Sequence, residues 1–180
     1  MRATFLEFPQ DPIAWMVDRQ YMLGDALLVA PVFDDDDVEY YVPAGAWVNV
    51  LTGEDVQGSR FVNETHSFMT LPLLLRQDYG LIIGREGHSV VDRITNKDKG
   101  FTVVVGQSNS KDFTITSALR DGSRITCGVK LREGGLTVNI TDGYVEGLLW
   151  EVLVVGGGVG LDSPRSKIDM GSGKSCNVTF

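Results

Sequence analysis

Asp18–Phe33, DRQYMLGDALLVAPVF, decides the fold. The stretch begins polar, passes through Leu23-Gly24-Asp25 and ends in an almost unbroken apolar run, Ala26 to Val32, with Pro31 near its close. A short continuous apolar run of this kind reads as a strand covered on both faces, the pattern of parallel sheets. Toward the N-terminus, Met1–Phe8 reads as a strand that Pro9 stops. Asp11 and Pro12 then supply an N-cap and a first helical residue. Ile13, Met16, Val17 and Tyr21 recur at helical spacing, and Gly24 stands where a terminator belongs. Strand, helix and doubly apolar strand make a βαβ unit. Nothing after residue 33 repeats it. The unit has no parallel sheet to join, so the chain reads as the tail of something longer.

From Val38 the pattern becomes antiparallel β. VEYYVPAGAWVNVLTGE (38–54) gives two short strands around Pro43-Ala44-Gly45, then a turn at Thr52-Gly53. GSRFVNETHSFMTLPLLLR (58–76) gives further strands, and Leu81–Ile83 another. Strands this closely spaced, with turn signals between them, predict a β-sandwich. A second series starts at about Gly87. Phe101–Val105, Phe113–Thr116 and Leu136–Thr141 are β-branched or alternating, Trp150–Val155 reads as a central strand, and Asn177–Phe180 as the last. Asp121-Gly122 and Glu133-Gly134-Gly135 are hairpin signals. Thr95–Gly100, TNKDKG, is a polar loop.

Composition bounds the function. With 180 residues, 43% hydrophobic and 22% charged, the chain can bury one large or two small cores. A net charge of -8 and the lack of any Lys/Arg cluster exclude nucleic-acid binding through a basic patch. No apolar run is long enough for a transmembrane helix. Met1-Arg2-Ala3 leads straight into Thr4–Phe8, so no leader is expected here. Cys127 and Cys176 make no disulfide framework and are expected as two thiols. A cytoplasmic location is the expectation; secretion is the alternative that three N-x-Ser/Thr sequons, at Asn63, Asn139 and Asn177, leave open.

The chemistry-bearing residues are few. Asp34–Asp37 is an acidic run without the alternate ligand spacing, mid-loop Gly and distal Glu of a calcium loop, so it reads as a solvated loop. His66 and His88 lack metal-ligand spacing with the cysteines and have no nucleophile context. Gly156–Gly160 lacks the Lys-Ser/Thr of a phosphate loop and reads as a turn. Trp15, Trp47, Trp150, Tyr40 and Tyr41 are candidate sugar-stacking aromatics that more often serve as core. No cofactor and no metal site are expected.

Four blocks, MRATFLEFPQDP (1–12), DRQYMLGDALLVAPVF (18–33), YYVPAGAWVNVLTGE (40–54) and GSRFVNETHSFMTLPLLLR (58–76), resemble in order the C-terminal part of glycoside hydrolase family 31, in its α-xylosidase branch. The resemblance covers about the first 85 residues; beyond Gly87 it rests on layout. It implies a mainly β chain, with two consecutive antiparallel β-sandwich domains preceded by a βαβ remnant of a (β/α)8 barrel. The implied domains are 1–36, the end of the catalytic barrel; 37–86, a proximal β-sandwich; and 87–180, a distal β-sandwich. On this reading Ala26–Val32 is the last barrel strand, and its neighbours are encoded upstream of Met1.

The family uses two carboxylates, a nucleophile and an acid/base, for retaining hydrolysis of α-xylosides or α-glucosides. Both are aspartates from earlier in the barrel, and no segment here matches either motif. No catalytic residue is therefore carried over. Because C-terminal strand ends of such barrels face the substrate, Glu7, Phe8, Phe33 and Asp34 are the positions that could approach a sugar. The implied partners are the rest of the barrel, in the same or a separate chain, and an α-xyloside or α-glucoside; oligomerisation is left open. The rival is an independent carbohydrate-binding or interaction module.

Overall fold

A computed structural model describes residues 1–33, 37–67, 70–84, 100–107, 111–118, 124–144, 146, 148–161, 168–170 and 173–179. The chain is mainly β. It divides into two compact units, Met1–Gln77 with Gly156–Ser163, and Asp78–Val155 with Pro164–Phe180.

The first unit holds β1 (Arg2–Ala3), β2 (Tyr21–Leu23), β3 (Leu27–Val29), β4 (Asp37–Val42), β5 (Ala46–Asn49), β6 (Asp55–Gln57), β7 (Arg60–Thr65) and β8 (Leu73–Arg76). Six of these make one sheet in the order β1-β2-β3-β8-β5-β6, and β4 pairs with β7. Every pairing in this unit is antiparallel. The core gathers Met22, Leu28, Val42, Leu74 and Trp47. Trp47 satisfies its indole N–H by donating to the Pro43 carbonyl at 2.9 Å.

The βαβ reading is corrected here. Met1–Phe8 is not a strand but the two-residue β1 followed by the single helical turn α1 (Thr4–Glu7). The expected helix from Asp11 shrinks to a 3-10 turn, Ile13–Trp15. Asp11 does accept from the Ile13 N–H at 3.0 Å, as an N-cap would. The helix stops because its apolar positions find no core: Trp15 and Met16 stay exposed. Tyr21 is taken instead by the sheet. Gly24, at φ +65, turns the chain so that Leu23 faces Leu27 across a three-residue loop. The apolar run is thus half of a hairpin. Its neighbours in this sheet are β2 and β8, both antiparallel to it.

The second unit holds β9 (Gly80–Gly84), β10 (Phe101–Gly106), β11 (Phe113–Ala118), β12 (Arg124–Arg132), β13 (Gly135–Asp142), β14 (Trp150–Val155), β15 (Ile168–Met170) and β16 (Ser175–Thr179). They form two four-stranded sheets, β15-β14-β10-β9 and β11-β12-β13-β16, around one core. Phe101, Val103, Trp150 and Val152 face Ile125, Val129, Val138 and Val178 across it. The antiparallel expectation fails at one pair: β10 and β14 run parallel, Phe101 beside Trp150. Both strands are buried almost throughout, as strands covered on two sides must be. Glu133-Gly134 forms the expected two-residue hairpin turn, with Arg132 opposite Gly135. Asp121-Gly122, Gly87 and Thr95–Lys99 lie outside the described residues.

Cys127 and Cys176 are buried and unbridged. β13 lies between their strands, Cys127 facing Ile140 and Cys176 facing Val138. Two strand spacings separate them by roughly 10 Å, beyond the reach of a disulfide. Burial pushes the Cys127 thiol up to about 12. A thiol held so far above neutral pH is unreactive. With a disulfide-exchange reagent at pH 8, neither cysteine is expected to react in the folded protein, and two thiols are expected to appear on denaturation. Fast labelling of two thiols without denaturant would contradict the burial of this core.

The glycine-rich stretch is a turn, as expected, and a structural one. Gly156 and Val159 bridge each other, Gly158 N–H donates to the Gly53 carbonyl at 2.8 Å, and Leu161 N–H donates to the Val50 carbonyl at 2.8 Å. This tongue belongs to the first unit although it follows β14 in sequence. Its approach is close: a Cβ on Gly53 would stand 2.2 Å from the Val159 backbone, and one on Gly160 2.2 Å from the Leu51 carbonyl oxygen.

Candidate functional site

An open cleft of about 510 Å³ lies in the first unit. Glu7–Pro12 form one wall, and Tyr41, Ala44 and Ser59 the other. Its size is in the range of small-molecule pockets. The carboxylates at its rim are already engaged. Glu7 Oε1 takes an ion-pair hydrogen bond from Arg76 Nη1 at 2.6 Å, and its Oε2 sits 2.8 Å from Arg2 Nη2. Arg2 also pairs with Asp25. The Arg76 guanidinium lies over the Phe8 ring, 5.1 Å from its centroid. These contacts tie the N-terminal segment to the end of β8.

Asp11 is engaged at both oxygens, one accepting from Ile13 N–H and the other, at 2.8 Å, from the Tyr41 hydroxyl. Gln20 fixes Tyr41 from behind. Its side-chain amide donates to the Tyr41 carbonyl and accepts from the Tyr41 N–H, both at 2.8 Å, so it stands in for a strand partner. Burial first, then the hydrogen bond and the charge of Asp11, push the Tyr41 phenol from 10.0 up to about 12. A folded-state value above the unfolded one stabilises the fold while the group is protonated. The contribution of Tyr41 is complete below pH 10 and is lost as pH climbs toward about 12. Tyr41→Phe should therefore flatten the decline of stability over this window, followed by urea midpoints at rising pH. Tyr40, also pushed up, by burial and by Glu64, retains the rest of the slope.

Near β4 and β7, Tyr40 donates to Glu64 Oε1 at 2.7 Å. His66 Nε2 lies 2.9 Å from Glu64 Oε2, and its Nδ1 lies 3.2 Å from Thr70 Oγ1. Carboxylate, imidazole and hydroxyl here run in a line, but the Thr70 oxygen also accepts from the Ser67 N–H at 3.1 Å, which ties it to its own loop. Asp37 accepts from Thr65 Oγ1 at 2.6 Å across the same strand pair. Asp34–Asp36 and His88 lie outside the described residues. Phe33 is exposed, with the Arg19 guanidinium 6.0 Å from its ring centre. Trp47, Trp150 and Tyr40 are core, whereas Trp15 stacks on Phe5 at the surface. Asn63 is exposed on β7; Asn139 and Asn177 sit on β13 and β16, where Ser175 and Thr137 donate to their side-chain oxygens. Among the described residues no three His, Cys, Asp or Glu side chains gather as a metal site, and no helix is long and apolar enough to cross a membrane.

The structure thus brings Glu7 and Phe8 to the cleft and leaves Phe33 apart from its lining. Sequence reasoning missed Asp11 with Tyr41, and Arg76 with Glu7. The partners stand 30 and 69 residues apart, with no motif joining them. The one available signal was the isolated charge of Arg76 at the end of LPLLLR.

A retaining hydrolase needs a free pair of carboxylates about 5–5.5 Å apart, flanking the scissile bond. Glu7 and Asp11 are spent on internal contacts. Fold and cleft together make a mainly β region whose rim carboxylates are held by Arg76, Arg2 and Tyr41. Residues 1–82 match the sequence model of the glycosyl hydrolase family 31 C-terminal domain. It is 44% identical over 85 residues to an alpha-xylosidase of Emericella nidulans, covering 42% of this chain and 11% of that protein. It is 49% identical over 53 residues to the lysosomal alpha-glucosidase of Bos taurus, covering 28% and 6%. A crystal structure of the GH31 alpha-xylosidase from Xanthomonas citri superposes with a TM-score of 0.74 at 25% identity, over 99% of this chain and 21% of that one. The chain therefore spans about a tenth of the length of the curated alpha-xylosidase it matches.

Proposed function

We propose that this chain acts as the C-terminal part of a retaining α-glycosidase of the α-xylosidase or α-glucosidase type, in carbohydrate metabolism. In the whole enzyme, residues 1–36 make the join to the catalytic barrel, 37–86 the proximal β-sandwich and 87–180 the distal one. The nucleophile and acid/base come from the barrel, and the substrate is a terminal α-xyloside or α-glucoside. The contribution of this chain is to hold the join in place. The observation that carries the reading is the family 31 match across residues 1–82, together with rim carboxylates already committed to Arg76, Arg2 and Tyr41.

The isolated 180-residue chain is expected to melt cooperatively and to release no aryl leaving group from aryl α-xyloside or aryl α-glucoside. Turnover that scales with chain concentration and survives repurification would overturn this reading and point to Glu7 and Asp34–Asp37. Sugar binding without turnover, at an affinity that matters in solution, would favour an independent carbohydrate-binding module.

A further inference from the structure

The β11-β12-β13-β16 sheet turns one side to the core of the second unit and the other side outward. Along β12 the alternation sends Ile125, Cys127 and Val129 inward and leaves Arg124, Thr126, Gly128, Lys130 and Arg132 on the outer side. Pairing sets the outer residues in rows. Lys130 lies beside Thr137 and Asn177, and Thr114 lies in line with Gly128, Asn139 and Ser175. The face is made of hydroxyls, amides and cations, in a chain whose net charge is -8. The carboxylates of these strands stand at their ends. Asp112 accepts from the Leu131 N–H and Asp142 from the Gly143 N–H, both at 2.9 Å, and Glu133 sits in the hairpin turn. Among the described residues no carboxylate pairs with Arg124, Lys130 or Arg132, whereas Arg2 and Arg76 are both held by Glu7. The polar groups are already ordered. Arg132 Nε donates to Thr137 Oγ1 at 2.7 Å, and Thr137, 4% exposed, donates to Asn177 Oδ1 at 2.8 Å. Ser175 donates to Asn139 Oδ1 at 2.7 Å. Both asparagines thus spend their oxygens inside the sheet and keep their amide N–H groups as donors. Donors fixed in this way lose little freedom when a ligand arrives.

We propose that this outer face binds an acidic polysaccharide, a chain of hydroxylated rings that carry carboxylates. Arg124, Lys130 and Arg132 take the carboxylates, the guanidinium groups by paired hydrogen bonds. The amides of Asn139 and Asn177 and the hydroxyls of Thr114 and Thr116 take the ring oxygens. Six residues of extended chain separate Arg124 from Lys130, roughly 20 Å, so the ligand is a polymer and not a small anion. The choice of a sugar polymer among polyanions rests on the reading of the chain as part of a glycosidase, and the face then anchors that enzyme to the material it works on. A neutral glycan is the poorer ligand, because it leaves the cations unused. Duplex DNA is poorer too, because its charge repeats at about 1.7 Å and asks for a dense basic stripe, while these cations are spread along a whole strand.

The test is biolayer interferometry of the 180-residue chain on immobilised polygalacturonate, dextran, polyglutamate and duplex DNA, at low salt and neutral pH. Binding is expected on polygalacturonate, at least about tenfold tighter than on the other three, and weaker when salt is raised to about 0.2 M. Arg124→Gln/Lys130→Gln should weaken it about tenfold or more. Both side chains are exposed, so the melting temperature of that variant should move by no more than about 2 °C. Arg124→Lys/Lys130→Arg keeps the charge and should bind within about threefold of the parent. Arg19→Gln/Arg60→Gln removes the same charge from the first unit and should change binding less than about threefold. No binding to polygalacturonate, equal binding to any of the other polymers, or equal losses in the two Gln variants would overturn the proposal. Hydrolysis keeps the two readings apart. Turnover of aryl α-xyloside by the isolated chain sinks the functional reading and leaves polygalacturonate binding standing, whereas a chain that neither turns over nor binds sinks the proposal alone.

Discussion

Trp47→Ala is expected to lower stability by about 3–5 kcal/mol, the range for removing a buried Trp from a packed core. Trp47 is 1% exposed and sits among Met22, Leu28, Val42 and Leu74, where the six-stranded sheet meets β4 and β7. Its ring also lies 6.1 Å from that of Phe8, and 6.0 Å from the Arg76 guanidinium. Truncation opens a cavity, leaves the Pro43 carbonyl without its donor and loosens the bed on which Arg76 holds Glu7. Urea unfolding at constant m should show the whole effect in the midpoint. Trp47→Phe, which keeps most of the volume but not the N–H, should recover part of the loss. A change below about 1 kcal/mol would mean that Trp47 is not the centre of this core.

Gly53→Ala is the second large effect, and its cause is backbone. Gly53 has φ +75, a conformation that costs an L side chain about 1–2 kcal/mol. The new Cβ would also stand 2.2 Å from the Val159 carbonyl carbon, a backbone atom that cannot swing away as a side chain can. Overpacking of this kind typically costs about 1–3 kcal/mol. Gly134→Ala is the control. It has a similar φ of +74 but nothing within 4 Å of its Cβ, so it carries the conformational cost alone. Equal losses at the two positions, read from urea midpoints, would show that the tongue gives way without cost.

Fold class was legible because alternation and turn residues are local signals. The hairpin at Glu133-Gly134 and the strands around Pro43-Ala44-Gly45 follow from them directly. The N-terminal error has one physical source. A continuous apolar run reports that both faces of a strand are covered; it does not report the direction of its neighbours. β3 is buried throughout and antiparallel, whereas β10 and β14 are equally buried and parallel. The family resemblance supplied the barrel for β3, and periodicity alone supplied the helix at Ile13–Tyr21. Neither could show that Tyr21–Leu23 finds a better partner in Leu27–Val29. The candidate site was less legible than the fold. Glu7 and Phe8 were placed by reasoning about strand ends, but the groups that engage their surroundings, Arg76, Asp11, Tyr41 and Gln20, meet only through long-range closure.

The tongue at Gly156–Leu161 also sets an order of events during synthesis. Gly53 and Val50 leave the ribosome more than a hundred residues before the amides that satisfy their carbonyls. The first unit therefore cannot close its hydrogen bonds until nearly the whole chain has emerged, and β9 to β14 are made while it waits. Its boundary is not a cut in the sequence. A gene fragment ending at Gln77 would encode all eight strands of that unit and still lack one of its walls.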